Sequence, residues 1–174
     1  MKIIDLSTPL FTDMNVFPGD PVVKIEVIHT HDKETWELRH LSMGSHTGTH
    51  VDAFSHMHQG AENLDAMPLE NFCGTAQVVT INQLWPQKTG LFFIDEVGIE
   101  EASRIIASQP KFVGGNITEE LERTLLGKKI ITYTGLVNLE SLSREKSFMF
   151  YGFPLKIQAG DGSPVRAVAM IEDD

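Results

Sequence analysis

His46, His50 and Asp52 stand in the order H-x3-H-x-D and offer two imidazoles and a carboxylate within seven residues. Such nitrogen and oxygen donors suit Zn2+ first and, less selectively, Mn2+ or Fe2+. Three protein ligands leave a coordination position open. Zinc lowers the pKa of a water held there to about 7, which yields hydroxide at neutral pH without a strong protein base. The pattern is therefore that of catalytic rather than structural coordination. All seven histidines lie between residues 29 and 58, and four of them fall in HTGTHVDAFSHMH at 46–58. His56, four residues beyond Asp52, is expected near the metal without having to bind it, where an imidazole can move protons.

The other candidates read as structural. His29 and His31 are expected to be exposed near a turn, and His58 on the surface. His40 follows Trp36 and Leu38 at period two, which predicts a hydrogen-bonded, partly buried ring. Cys73, in NFCGT, has no basic neighbour to favour a thiolate and is expected to be a buried structural cysteine. Asp161, in AGDGSPVR, could contact a substrate, but a Gly-Asp-Gly turn between strands accounts for it. The G-x-G at 160–162 leads into a strand, so it lacks the helix N-terminus that a phosphate loop needs.

These residues must be positioned by the elements around them. Residues 2–6, 22–28 and 34–42 are rich in β-branched and aromatic types and bounded by turn formers such as Phe17-Pro18-Gly19-Asp20-Pro21, which predicts strands. Residues 75–81 and 91–94 are further strand candidates. Ile99, Ala102, Ile105 and Ile106 share one helical face, with Glu100 and Glu101 in the first turn, and predict a helix over 99–108. Phe112-Val113 is a short apolar run ending at Gly114-Gly115. Thr118 is placed to cap a second helix through EELERTLL, with Gly127 as its C-terminal glycine. Residues 129–133, 147–157 and 165–171 read as strands, separated by the turn 160–164. Between His46 and His50, the residues Thr47, Gly48 and Thr49 are poor helix formers, so the ligand segment is expected to be a loop in which Gly48 lets the backbone bend sharply. Strands on either side of a central helical pair imply an α/β or α+β domain with mixed sheets, with α/β the expected class.

The 174 residues carry 14 basic and 24 acidic side chains, for a net charge of −10. That balance excludes a broad nucleic-acid footprint and disfavours acidic membranes, since both need clustered Lys and Arg. A chain of this length buries roughly 70% of its unfolded surface and needs no metal to hold its core together, so a metal here needs a functional reason. One cysteine permits no internal disulfide, and the first ten residues do not read as a secretory signal. No apolar run approaches the roughly 18 residues of a membrane span. The expected setting is the cytoplasm, and the expected organisation a single domain over 1–174.

With SHTGTHVDAFSHMHQG in view, the chain resembles the metal-dependent cyclase family, which includes bacterial kynurenine formamidases (arylformamidases) and isatin hydrolases. DLSTPL at 5–10, FPGDP at 17–21 and PLKIQAGDGSPVRAVAMI at 154–171 are similar to family segments in the same order. The resemblance implies a swivelling β/β/α fold, a homo-oligomer and a small-molecule substrate. It also implies metal ligands at His46, His50 and Asp52, with proton transfer by His56. Relatives with two metals carry a histidine in H-R-x-L-L and a glutamate in I-I-E-N-L; Glu122 and Thr134 stand at those positions here. Thr134 cannot replace a bridging carboxylate, whereas Glu122 is a candidate ligand, so one metal per chain is expected. The family's proline two residues before the proton-transfer histidine is Phe54.

The reading that follows is a metal-dependent hydrolase in which a metal-activated water attacks an amide, either N-formyl or cyclic, or a related carbonyl. Two alternatives stay open. One is a metal-binding protein of the same fold with impaired catalysis, and the other a cyclase or dehydratase.

Overall fold

The computed structural model describes residues 1–172; residues 173 and 174, the last two of the expected domain, lie outside the described residues. The strands are β1 (Lys2–Asp5), β2 (Lys24–His29), β3 (Leu38–Ser42), β4 (His50–Asp52), β5 (Cys73–Val79), β6 (Gly90–Val97), β7 (Phe112–Ile117), β8 (Ile131–Thr134), β9 (Phe148–Tyr151), β10 (Gly162–Pro164) and β11 (Val168–Ile171). The α-helices are α1 (His31–Glu34), α2 (Phe54–Met57), α3 (Ala102–Ser108) and α4 (Glu119–Gly127). Among the described residues, nine strands form one mixed sheet in the order β1-β11-β9-β5-β6-β7-β8-β4-β10, and β2 pairs with β3 in a separate ribbon. The middle of the sheet, β5-β6-β7-β8, is parallel, and every other pairing in it is antiparallel. The α/β class with a mixed sheet is thus the observed one.

Alternation along the central strands sends side chains to two cores. Leu91, Phe93 and Val113 pack with Ile105, Leu121 and Leu125 of the helical pair α3 and α4. Phe92, Phe112, Tyr133 and Phe150 face the other way. There the aromatic rings meet edge to face, Phe92 and Tyr133 each 4.8 Å from Phe150 between centroids. That arrangement sets the positive ring edge against the negative face. The fully buried Tyr133 hydroxyl donates to Gly152 O at 2.9 Å.

Several boundaries differ from those the sequence predicts. The helix over 99–108 is a 3-10 turn at Ile99–Glu101 followed by α3. Thr118 caps α4 as expected, its side chain accepting from Leu121 N, but Gly127 is the last helical residue and the left-handed φ of +60° falls on Lys129. The third predicted strand starts at Leu38 because His31–Glu34 close into α1, and the strand over 147–157 stops at Tyr151. The run at Phe112-Val113 does not end at the glycines. Strand β7 continues through Gly115 (φ +97°), where a Cβ would lie 2.0 Å from Phe93 O, so only glycine keeps the strand in place. The turn predicted at 160–164 is half strand: β10 occupies Gly162–Pro164 and pairs with β4.

The ribbon leaves Val27, Ile28, Trp36, Leu38 and Leu41 exposed. His40 lies exposed on it and not partly buried, while His29 is half-buried and accepts the Trp36 indole N–H at 3.0 Å. Cys73 is half-buried where full burial was expected. Among the described residues no helix is long and apolar enough to cross a membrane.

Candidate metal centre

Register builds the centre. His50 of β4 stands opposite Thr134 of β8 and Pro164 of β10, and Asp52 stands opposite Thr132 and Gly162. Partners in register share a face, so the side chains of His50, Asp52, Thr132, Thr134 and Pro164 point one way, with Gly162 leaving its place on that face open, while Val51, Tyr133 and Ser163 point into the core. The His46–Thr49 loop folds over that face, helped by Gly48 at φ +63°. Helix α2 brings His56 in from the flank. His58, half-buried, fixes that helix to α4, with Nε2 2.7 Å from Arg123 O.

Asp52 is 1% exposed, and its Oδ1 receives two imidazoles: His46 Nδ1 at 2.7 Å and His50 Nε2 at 3.5 Å. Burial alone would raise the Asp52 pKa, but hydrogen bonding to His46 and the charge of His50 hold it below the usual carboxylate value. His50 Nδ1 lies 2.8 Å from Gly48 O. A carbonyl can only accept, so Nδ1 carries a hydrogen, and in the neutral ring it is Nε2 that holds the lone pair. Thr134 Oγ1 donates to that Nε2 at 2.7 Å. His56 lies over His46 with ring centroids 3.8 Å apart, and donor atoms of His46, Asp52 and His56 come within 4.8 Å of one another.

The second oxygen of Asp52 faces the interior. Thr132 Oγ1 sits between the two acids, 3.2 Å from Asp52 Oδ2 and 2.8 Å from Glu122 Oε1. Burial, then the charge of Asp52, pushes the Glu122 carboxyl up to about 8 from its ordinary 4.5, so Glu122 is neutral near pH 7. Burial would lower the His46 pKa, but hydrogen bonds to Asp52 and Asp161 outweigh it and raise the ring to about 9. His56 shifts the other way, lowered from 6.5 by burial and by the neighbouring His46 charge.

The donor set fits a divalent ion. It comprises a buried carboxylate approached by imidazoles, and a histidine whose Nδ1 is engaged by a backbone carbonyl so that Nε2 is the nitrogen left for a ligand role in exchange for the Thr134 hydroxyl. Of the residues singled out in the sequence, the structure brings His46, His50, Asp52 and His56 together, with Glu122 on the far oxygen of Asp52. Thr132, Ser45 and the weight of Asp161 escape a reading by spacing. Polar threonines at alternate positions inside the otherwise apolar β8 are the signal that could have exposed the first. Gly162 is also part of the site, because a Cβ there would lie 2.3 Å from His46 Cε1. Gly162→Ala should leave the fold intact yet displace the His46 ring and weaken divalent-metal affinity by about 10-fold or more, comparable with the loss of a residue that orients a ligand; isothermal titration would measure it, and unchanged affinity would remove Gly162 from the site.

Residues 4–113, more than half of the chain, match the Cyclase family, described as "putative cyclase". The chain belongs to this family. Among relatives of this cyclase-family chain, the kynurenine formamidase of Salinibacter ruber is 29% identical over 205 residues, covering 97% of each protein. Isatin hydrolase A from Labrenzia aggregata, solved bound to benzyl benzoate, superposes with a TM-score of 0.83 at 21% identity and covers 99% of this chain and 94% of that one. A structure described as a potential metal-dependent hydrolase with cyclase activity superposes at 0.73 with 21% identity, over 97% and 96% of the two chains. The chain therefore has the isatin hydrolase fold, and its family relatives include metal-dependent hydrolases.

Proposed function

We propose that this cyclase-family chain hydrolyses an amide or related carbonyl substrate at a single divalent metal, Zn2+ first, held by His46, His50 and Asp52. The convergence of two imidazole nitrogens on one buried carboxylate oxygen carries the reading. When bound, such an ion supplies a Lewis acid for the carbonyl and an acidified water. The protein's own groups do the rest. Gly48 O fixes the His50 tautomer, and Asp52 holds both rings at one corner. His56 is the most exposed imidazole of the set, its side chain 30% accessible. Its lowered pKa leaves it neutral at pH 7, so it can take a proton from the attacking water and hand it to the departing nitrogen. With Nδ1 turned toward Asp161, Nε2 is the atom assigned to that transfer. An N-formyl arylamine suits the reading, in keeping with the Salinibacter ruber relative.

One observation favours a second reading, a metal-binding protein with impaired catalysis: Thr134 occupies the lone pair of His50 Nε2 with its own hydroxyl. Elemental analysis combined with turnover of an N-formyl aromatic amine, small amides and lactones separates the two. Metal with turnover supports hydrolysis, metal without turnover supports the second reading, and absence of metal sinks both.

Glu122 has two possible parts, ligand or neutral support for Asp52, and Glu122→Gln distinguishes them. Glutamine can accept from Thr132 and donate to Asp52 as a protonated acid does, so a support role leaves metal content unchanged. It should also alter the pH dependence of the metal-free protein. A carboxyl raised from 4.5 to about 8 on folding contributes stability that is complete below pH 4.5 and lost as pH rises through about 8. Thermal unfolding of the glutamine variant should therefore lose that part of the decline. A drop in metal content would instead make Glu122 a ligand.

A further inference from the structure

Asp161 reads from sequence as a turn residue, but its side chain reaches the centre. Its Oδ2 lies 3.0 Å from His46 Nε2 and 3.6 Å from His56 Nδ1. The other nitrogen of His46, Nδ1, faces Asp52 Oδ1 at 2.7 Å. The ring of His46 is thus held at both nitrogens by carboxylates from opposite directions, one buried and one half exposed.

The backbone around Asp161 is fixed tightly enough to aim it. Its carbonyl accepts from Ala53 N at 2.8 Å, the residue following Asp52, and Gly160 O accepts from Leu64 N at 2.9 Å. Ser45 Oγ donates to Asp161 Oδ1 at 3.0 Å, leaving Oδ2 for the two imidazoles. Gly162, next along, has no Cβ to collide with His46. Pairing of β10 with β4 therefore places the Asp161 carboxylate on the side of His46 away from Asp52 and His50.

A histidine that gives one nitrogen to a metal carries its hydrogen on the other, and a carboxylate accepting that hydrogen fixes the ring's orientation and raises its basicity. Because His50 also approaches Asp52 Oδ1, the corner for an ion is on the Nδ1 side of His46, and Nε2–H is left directed at Oδ2. We propose that Asp161 is the positioning carboxylate of the metal centre: it holds His46 by Nε2–H so that Nδ1 is presented toward Asp52, and the same oxygen steadies His56. Asp161 is not itself a ligand in this arrangement. The role rests on the metal-centre reading above.

Co2+ titration of the full chain tests it, with affinity read by chelator competition and coordination by the visible d–d bands. Asp161→Ala should weaken Co2+ binding by about 10- to 100-fold, the usual cost of losing such a partner, while the bands keep their positions and intensity. Asp161→Asn keeps an acceptor oxygen of the same reach and should recover most of that affinity, which a simple loss of loop structure would not. Asp161→Ala binding Co2+ as tightly as wild type overturns the role alone. Altered bands in the asparagine variant overturn it in favour of direct ligation, and an asparagine variant as weak as alanine overturns the hydrogen-bonding account. Wild-type protein that takes up no Co2+ overturns the metal centre and this role with it.

Discussion

Asp52→Asn should lower affinity for a divalent ion by more than about 100-fold, beyond the 10- to 100-fold that loss of an outer hydrogen-bonding partner costs, and abolish metal-dependent turnover. Asparagine keeps the size of the side chain and can still meet Thr132, so the folded chain should survive. What it loses is the charge at the oxygen on which His46 and His50 converge. Elemental analysis after dialysis against a chelator measures the effect, and wild-type occupancy in the variant would sink the assignment. The pH dependence of binding supplies a second, independent readout. An imidazole must shed a proton before it coordinates, and the His46 ring holds its proton up to about pH 9. Metal affinity should therefore keep rising with pH well past 6.5, the ordinary histidine value, and level off only near 9. In Asp52→Asn one of the two hydrogen-bonding carboxylates that raise His46 is gone, so whatever residual binding remains should level off at lower pH. Glu122 should respond too, since the Asp52 charge helps keep it protonated. Without that charge its pKa should fall, although burial, the larger cause, still holds it above the ordinary value, a shift that titration of the metal-free variant can follow.

The cluster of histidines and aspartate that the fold brings together was legible in the sequence because its members are close together and chemically distinctive. His46, His50, Asp52 and His56 fit within eleven residues, and no fold knowledge is needed to see them as donors. The loop between the first two was equally legible, since Thr47, Gly48 and Thr49 disfavour a helix and Gly48 adopts a positive φ. The partners that complete the site come from far along the chain. Thr132 lies 80 residues from Asp52, and Asp161 lies 115 from His46. Only the pairing of β4 with β8 and β10 brings them in, and β4 and β10 are three residues each. Three residues are too few to display alternation, so neither strand could be read from its pattern. Asp161 was the costliest omission. Gly, Asp and Pro are turn formers, and local chemistry outweighed the long-range role. For the helices the reverse holds. The apolar face of α4 and its threonine cap specify the element locally, whereas the burial of Glu122 on that face has no local cause and becomes intelligible only beside Asp52 and Thr132. The ribbon histidines failed for a related reason. Period two holds at Leu38 and His40, which lie in β3, though Trp36 precedes the strand; β2 and β3 pair apart from the main sheet and leave most of their side chains exposed.

His56→Ala should keep the metal and lose turnover by about 10²- to 10⁴-fold, the range expected for a positioned general acid or base. The geometry makes this a sharper test than sequence alone could. His56 lies over His46 at 3.8 Å, and its donor atom comes within 4.8 Å of those of His46 and Asp52, so it is placed either to transfer protons or to bind the ion. Metal content decides between them. Retention of one ion with impaired turnover assigns proton transfer, and loss of the ion moves His56 among the ligands. The pH profile supplies the second measurement. Burial, the largest cause that lowers the His56 pKa below 6.5, persists when His46 has shed its proton to coordinate, so the ring is a neutral base across the neutral range and gains a proton only in acid. Wild-type kcat/KM should therefore fall below a pH under 6.5 as His56 is protonated, and this acid limb should disappear from the residual activity of the alanine variant. Added imidazole should restore part of the rate in His56→Ala, because removing the side chain leaves room beside the exposed edge of His46, whereas it should do nothing for Asp52→Asn. Full activity in His56→Ala, with the acid limb unchanged, would remove His56 from the mechanism and leave the proton to bulk water.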